Sequence, residues 1–387
     1  MKAARRIENL PPYLFASLDR KIADARGRGI DVISFAIGDP DLPTPSHIVE
    51  AAAEAVRDPA NHQYPSYAGM PQMREAIAGY YQRRFGVKLD PSTQVLPLIG
   101  SKEGIANLAT AMVDPGDTVL VCDPGYPVYG ISTLLAGGTQ VPVPLTEAGG
   151  YLPDWATMPE GGENAKVLWL NYPSNPTSAV CELPGLQEAV DYCRARDILL
   201  AHDAAYTEIT YDGFVAPSAL QPAGALDTAV EFGSMSKTYN MTGWRVGWAA
   251  GSAEAIEALG RVKTNIDSGI FNALQKAAIA GLEGPQDHLA EMVEIYRKRR
   301  DTLVDGLRSA GLKAEPPRGA LYVWVKVPEG HDSAGFSEFL LEKTGVVVAP
   351  GSGYGANGEG YVRFSLTIAD ERLEEGVSRI ASALGGA

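Results

Sequence analysis

The segment SMSKTYNMTGWRVG (234–247) gathers Ser234, Ser236, Lys237 and Arg245 within twelve positions, directly after an apolar run. Two hydroxyls, a primary amine and a guanidinium at the end of a strand suit an anionic ligand, most simply a phosphate. The GxxxxGK[ST] spacing of a P-loop is absent. A lysine taken alone is more often a solvated surface residue, so the weight falls on what accompanies it. GSKEG (100–104), after the run QVLPLIG, puts Ser101 and Lys102 where a helix opens and unpaired backbone N–H groups can face an anion, although a serine there also serves as a plain N-cap. LLAHDAAY (199–206) ends an apolar run on Asp203, with Tyr206 three residues on. A carboxylate in that place must be paired, either by a protonated ring nitrogen or by backbone N–H groups. NYPSNPTS (171–178) is a polar amide loop stiffened by prolines, or an ordinary turn. DPGYPVY (123–129) carries Tyr126 and its aromatic neighbour, for which core packing is the plainer reading.

These segments sit at the ends of short apolar runs, and the runs must form the scaffold. Seven of them, 94–100, 118–123, 139–143, 166–171, 198–203, 228–234 and 245–251, are short and β-rich, and several are nearly continuous in apolar residues, as strands buried on both faces should be. Helical stretches such as PQMREAIAGYYQRRF and LPGLQEAVDYCRAR lie between many of them. That alternation predicts an α/β fold: a mostly parallel sheet with helices on both faces and ligands at the strands' C-terminal ends. The last hundred residues differ. A long charged helix at about 287–310 leads to LYVWVKV, VVVAPGS and YVRFSLT, a smaller α+β unit, and PGSGYGANGEG (350–360) reads as a loop that could move. Before residue 45 lie an aromatic-rich arm, a short strand at 32–37, and GDPDLPTP, which forces loop geometry. The expected division is 1–45 as arm and part of the small domain, 46–286 as the large domain, and 287–387 as the small one.

Taken together and in this order, the motifs resemble those of the fold-type-I pyridoxal phosphate enzymes, in particular the class I and II aminotransferases. The resemblance spans essentially the whole chain. Its most diagnostic pieces are SxSKxxxxxGxRxG, the Asp-x-x-Tyr strand end and the Asn-Pro loop. It implies that Lys237 carries pyridoxal 5'-phosphate covalently and moves protons, that Asp203 pairs with the ring nitrogen, and that Asn175 and Tyr206 bond its phenolic oxygen. Tyr126 then stacks on the ring. Ser101, Lys102 through its main chain, Ser234, Ser236 and Arg245 hold the phosphate, joined by Tyr64 of a neighbouring subunit, which makes the assembly a homodimer with shared sites. Gly38 and Arg363 bind substrate, Arg363 by its α-carboxylate, and Asn175 lies beside them. The family's NPTG reads NPTS here, with Ser178 in the glycine's place. Many runs, including LPPYLFASLD, IGDPDLPTP and HQYPSYAGMPQMREAIAGYYQRRFGV, resemble bacterial LL-diaminopimelate aminotransferases of lysine biosynthesis, which implies LL-diaminopimelate and 2-oxoglutarate as substrates. The alternatives are an aspartate, alanine or broad-range aminotransferase, and a carbon–sulfur lyase on the same fold. For the far end of a long substrate, Lys263 is a candidate, followed by Tyr13 and Tyr354.

Composition narrows the rest. The 387 residues are 45% hydrophobic and carry 33 basic against 47 acidic side chains, a formal charge of −14. A chain of that balance is a poor candidate for binding nucleic acid or an anionic membrane, although net charge says nothing about the sign inside a pocket. No apolar run approaches the roughly 18 residues of a membrane span. Cys122, Cys181 and Cys193 are too few and too scattered for a disulfide framework, so a reduced, cytoplasmic enzyme is expected. The five histidines show no metal-ligand spacing, and no metal is expected. His202 reads as a support for its neighbour Asp203.

Overall fold

A computed structural model describes residues 2–8, 10–11 and 14–385. Its strands are β1 (Ile33–Ser34), β2 (Val95–Leu98), β3 (Thr118–Asp123), β4 (Thr139–Pro144), β5 (Val167–Asn171), β6 (Leu199–Asp203), β7 (Ala229–Ser234), β8 (Gly247–Gly251), β9 (Tyr322–Lys326), β10 (Val346–Val347), β11 (Ala349–Pro350) and β12 (Tyr361–Ser365). The seven apolar runs form one sheet in the order β2-β8-β7-β6-β5-β3-β4. All pairs are parallel except those of β8, which runs antiparallel to both β2 and β7. Strands β5, β7 and β8 are buried at every residue, because helices cover both faces. Leu168, Leu200 and Phe232 are each fully enclosed, and each contributes about 1.5–3 kcal/mol relative to an exposed position.

This topology creates one functional edge. Asn171, Asp203 and Ser234 end β5, β6 and β7 side by side: Asn171 is in register with Asp203, and Asp203 with Phe232. Strand β8 reverses direction, so residues that precede it reach the same edge. Gly247 at its start pairs with Ser234 on one side and Leu98 on the other. Arg245 and the Gly100–Ser101 turn therefore converge on Ser234.

The C-terminal part builds a second, smaller assembly. Strands β11, β12 and β9 form an antiparallel sheet, packed with the helices Asp287–Ser309, Ser333–Thr344 and Asp370–Leu384 around Phe35, Tyr296, Leu303, Val323, Phe336 and Phe364. The expected strand at 32–37 is shorter than its sequence suggested. Only Ile33 and Ser34 pair, in parallel with Val346 and Val347, and the chain leaves the ladder to form the site wall at Ile37 and Gly38. The 350–360 loop is pinned. Its two 3-10 turns lie over the sheet edge, where the Asp123 carboxylate accepts the N–H groups of Ala356 (3.1 Å) and Asn357 (3.0 Å), and Gly125 N donates to Tyr354 O (2.9 Å).

Candidate active site

A cavity of about 360 Å³ opens at this edge, between the sheet and β12. Lys237, Asp203, Tyr206, Ser101, Lys102, Tyr126, Asn175, Ser234, Ser236, Arg245, Gly38 and Arg363, which the sequence singles out from separate places along the chain, all line it. Its charged lining is Lys102, Lys237, Arg245 and Arg363 against Asp39 and Asp203. A chain of charge −14 thus encloses a basic pocket.

Lys237 lies in the short helix Met235–Thr238, whose N-cap Ser234 accepts from Ser236 N (3.1 Å). The Ser234 hydroxyl keeps its own proton to donate. The Lys237 amine donates to Gly38 O at 2.6 Å. Burial pulls that amine down to about 8, against the pull of Asp39, with Arg363 and Arg245 adding to the lowering. Across the cavity Asp203 is buried. Its Oδ2 accepts from Tyr129 Oη (2.8 Å), while Oδ1, also buried, makes no hydrogen bond. Burial pushes this carboxyl up to about 6, and the Tyr129 bond opposes the rise. Asn171 joins the neighbouring parts, donating from Nδ2 to Asp203 O (2.7 Å) and accepting Asn175 N at Oδ1 (2.7 Å).

At the other end, Arg363 is 1% exposed. It donates to Asn175 Oδ1 (2.7 Å) and Ala36 O (2.5 Å) and lies 4.0 Å above the Tyr322 ring. The Arg363 bond fixes the Asn175 amide with its oxygen toward the arginine, so its NH₂ is left for the cavity. Gly100 needs its positive φ of 76°, and a Cβ there would come 2.1 Å from Arg245 Nη2. Ser178, in place of the glycine of NPTG, takes φ 57°, the left-handed conformation a glycine would have supplied, and its buried Oγ finds no partner. The loop turn therefore survives the substitution.

The far-end candidates fare differently. Lys263 does not line the cavity. It is 1% exposed, and its ammonium is held by both oxygens of Asp267 at 2.8 Å, one helical turn on, with Glu103 3.7 Å away. It is a structural ion pair, which corrects the sequence reading. Tyr354 packs behind Arg363, 5.1 Å from its guanidinium, and lines a neighbouring hollow that shares Tyr126. Tyr13 lies outside the described residues. Tyr64 does not line the cavity of its own chain and is 88% exposed. His202 supports the edge from behind: its Nε2 accepts Tyr172 N (3.3 Å), so Nδ1 carries the proton donated to Glu231 (2.9 Å). Sequence reasoning missed Asp39, Asn171, Tyr129 and Tyr322. Tyr129 and Asn171 stand inside quoted motifs, whereas Tyr322 sits in an apolar strand and looks like core.

The sequence profile of the family described as aminotransferase class I and II matches residues 30–380. The chain belongs to that family. Proteins named LL-diaminopimelate aminotransferase are similar to it over its whole length: that of Desulforudis audaxviator is 57% identical, covering 99% of this chain and 98% of its own, and that of Moorella thermoacetica is 54% identical, covering 100% and 99%. Among solved structures, a probable N-succinyldiaminopimelate aminotransferase from Thermus thermophilus superposes with TM-score 0.90 at 38% identity, covering 96% of this chain and 100% of that one. The fold is that of the fold-type-I aminotransferases, and the protein is a transaminase of a family whose members use pyridoxal phosphate. Among the described residues, no helix of this aminotransferase is long and apolar enough to cross a membrane, and no cluster of three or more His, Cys, Asp or Glu side chains could hold a metal ion.

Proposed function

We propose that this aminotransferase, with pyridoxal phosphate attached to Lys237, forms LL-diaminopimelate and 2-oxoglutarate from tetrahydrodipicolinate, water and glutamate, a step of lysine biosynthesis that fits its relatives' name. The observation that carries the chemistry is the pairing of Lys237 and Asp203 across one cavity that ends on Arg363. The substrate rests on the relatives at 51–57% identity over 98–100% of the chain.

The lining suits that cofactor. The unpartnered, buried Oδ1 of Asp203 is the acceptor a protonated ring nitrogen would satisfy, and leaving it unpaired is costly. Ser101, Ser234, Ser236 and Arg245, with the N–H groups opening the helix Ser101–Met112, offer donors to a phosphate. Tyr126 offers a ring face, and the amide of Asn175 and hydroxyl of Tyr206 offer donors to the phenolic oxygen. Bound there, pyridoxal phosphate supplies the electron sink that makes the α-proton of an amino acid removable.

The chain's own residues do the rest. Arg363 grips the α-carboxylate with two parallel N–H groups and so fixes which Cα bond is presented for cleavage. Lys237 Nζ, neutral at modest alkaline pH because burial disfavours its charge, would serve as the base that takes the Cα proton of the amino acid and as the acid that gives it up again. Asp203 holds the ring nitrogen's proton. Tyr129 holds that carboxylate, and the Asn171 side-chain amide holds the Asp203 main chain. Two half-reactions in sequence give ping-pong kinetics. We further infer a homodimer in which Tyr64 reaches the partner's phosphate site, two moving units (46–286, and 287–387 with part of 1–45), and a reducing cytoplasmic setting, consistent with three unpaired, buried cysteines. Single-turnover reactions, following cofactor colour with each amino acid, test the substrate. Rapid conversion with LL-diaminopimelate and glutamate is expected, and reaction with aspartate or alanine but not LL-diaminopimelate would refute it.

A further inference from the structure

Tyr322 has no part in the scheme above, yet it stands where three of its components meet. Its Oη lies 2.7 Å from Tyr206 Oη. Its ring lies 4.0 Å beneath the Arg363 guanidinium. A Cβ on Gly38 would meet its Oη at 2.2 Å, so the residue at 38 must be bare for the hydroxyl to reach Tyr206. Strand β9 places it there, since Tyr322 is in register with Ser365 of β12, two residues beyond Arg363.

A hydroxyl has one proton to give. Between two phenols 2.7 Å apart, one must donate and the other accept. The Arg363 guanidinium over the ring face fixes Tyr322 in place by a cation–π contact. Tyr206, buried, is held protonated chiefly by that burial. With Tyr322 as the donor of this bond, the Tyr206 proton is left for the cavity, which both tyrosines line. A hydroxyl that already accepts a hydrogen bond is a stronger donor, because the two bonds polarise each other.

We propose that Tyr322 is a positioning residue that acts through Tyr206, aiming and strengthening the hydrogen bond Tyr206 gives to the phenolic oxygen of the cofactor. The inference rests on the function proposed above. A hydroxyl donating to the phenolic oxygen favours the form of the bound cofactor in which that oxygen carries charge. Loss of the relay therefore raises the pH at which the visible absorbance of the loaded enzyme changes.

The test is a spectroscopic pH titration of the reconstituted enzyme without substrate. Wild type must first show a pH-dependent visible band that borohydride traps at Lys237; without it the proposed function itself fails. Given that band, Tyr322→Phe, which keeps the ring under Arg363, is expected to raise the midpoint by about half a pH unit or more. In a Tyr206→Phe background the same substitution is expected to move it no further. An unmoved midpoint in the single variant, or an equal displacement in both backgrounds, overturns the proposal while leaving the transaminase reading intact. Should Tyr322→Phe not fold, Tyr322→Leu, which likewise removes the hydroxyl, gives a second reading. Its midpoint is expected to rise as well, and an unmoved midpoint overturns the proposal.

Discussion

At the scale of single residues, the site holds groups whose environments oppose their charge. Asp203 is the clearest case. A folded-state pKa raised from 3.8 to about 6 means that the folded chain prefers the protonated acid. Its contribution to stability is complete below about pH 4 and is lost as pH rises through about 6, at a cost on the order of 2–3 kcal/mol above that. In the cofactor-free enzyme, Asp203→Asn should therefore raise the melting temperature at about pH 8 and make little difference near pH 4.5, while abolishing most turnover after reconstitution. Melts at the two pH values check the sign, and a variant less stable at the higher pH contradicts the assignment. Lys237 titrates in the same sense as a buried amine. Covalent capture of pyridoxal phosphate by the cofactor-free chain should accelerate about tenfold per pH unit up to about 8 and then level off, whereas an exposed lysine would continue to gain past about pH 10. Ser178 is strained for a different reason. It holds a left-handed backbone that costs a residue with a Cβ about 1 kcal/mol, and it buries an unpaired hydroxyl. Ser178→Gly should raise stability by about 0.5–1 kcal/mol after the added freedom of the unfolded chain is deducted, read as a higher urea midpoint.

At the scale of elements, the sheet was legible because its inner strands are buried on both faces and so read as nearly continuous apolar runs, whereas the edge strand β4 is mostly exposed. The site was legible because its side chains sit where those runs stop. What escaped notice had no local signature. Tyr322 lies within LYVWVKV, and an aromatic in an apolar strand carries no mark that its hydroxyl meets a distant tyrosine. Lys263 was misread although a signal was present: Asp267 follows it by four residues, the spacing of an intrahelical pair. The loop 350–360 looked free because glycines dominate it, yet Asp123, from a motif noticed for its aromatics, ties it down. Asp123 is 7% exposed and spends both oxygens on that loop. The loop carries Tyr354 against Arg363. Asp123→Ala should release it, raising the amino-acid KM several-fold and lowering stability by about 2–3 kcal/mol, with cofactor content preserved. Asp123→Asn, which keeps one acceptor, should fall between. Loss of cofactor with unchanged KM would show that the tie serves the sheet edge instead.

At the scale of the whole molecule, the placement of Tyr64 asks for a second chain. A tyrosine 88% exposed stands beside Tyr67, at 50%, on a segment whose Ser66 and Pro65 pack against Gly269, close to Ile266 at 63%. Exposed apolar surface of this kind suits an interface. In the proposed two-fold dimer it would be repeated symmetrically, each chain lending Tyr64 to the other's phosphate site. That exchange has a consequence no monomer can imitate. A chain with Lys237→Ala cannot hold cofactor covalently but still presents Tyr64. A chain with Tyr64→Ala keeps its lysine but leaves its partner's phosphate short of one donor. Either variant alone forms dimers in which both sites are defective. Unfolded together and refolded at equal amounts, half the dimers pair one chain of each kind. In each of these, one site has Lys237 from the second chain and Tyr64 from the first, while the other site lacks both. About a quarter of all sites are then complete, and the mixture should recover about a quarter of wild-type activity beyond the residual rate of Tyr64→Ala dimers. Recovery should grow with refolding time and fail when the proteins are mixed without unfolding. A refolded mixture no more active than the sum of its parents would mean that Tyr64 serves its own chain or no site at all.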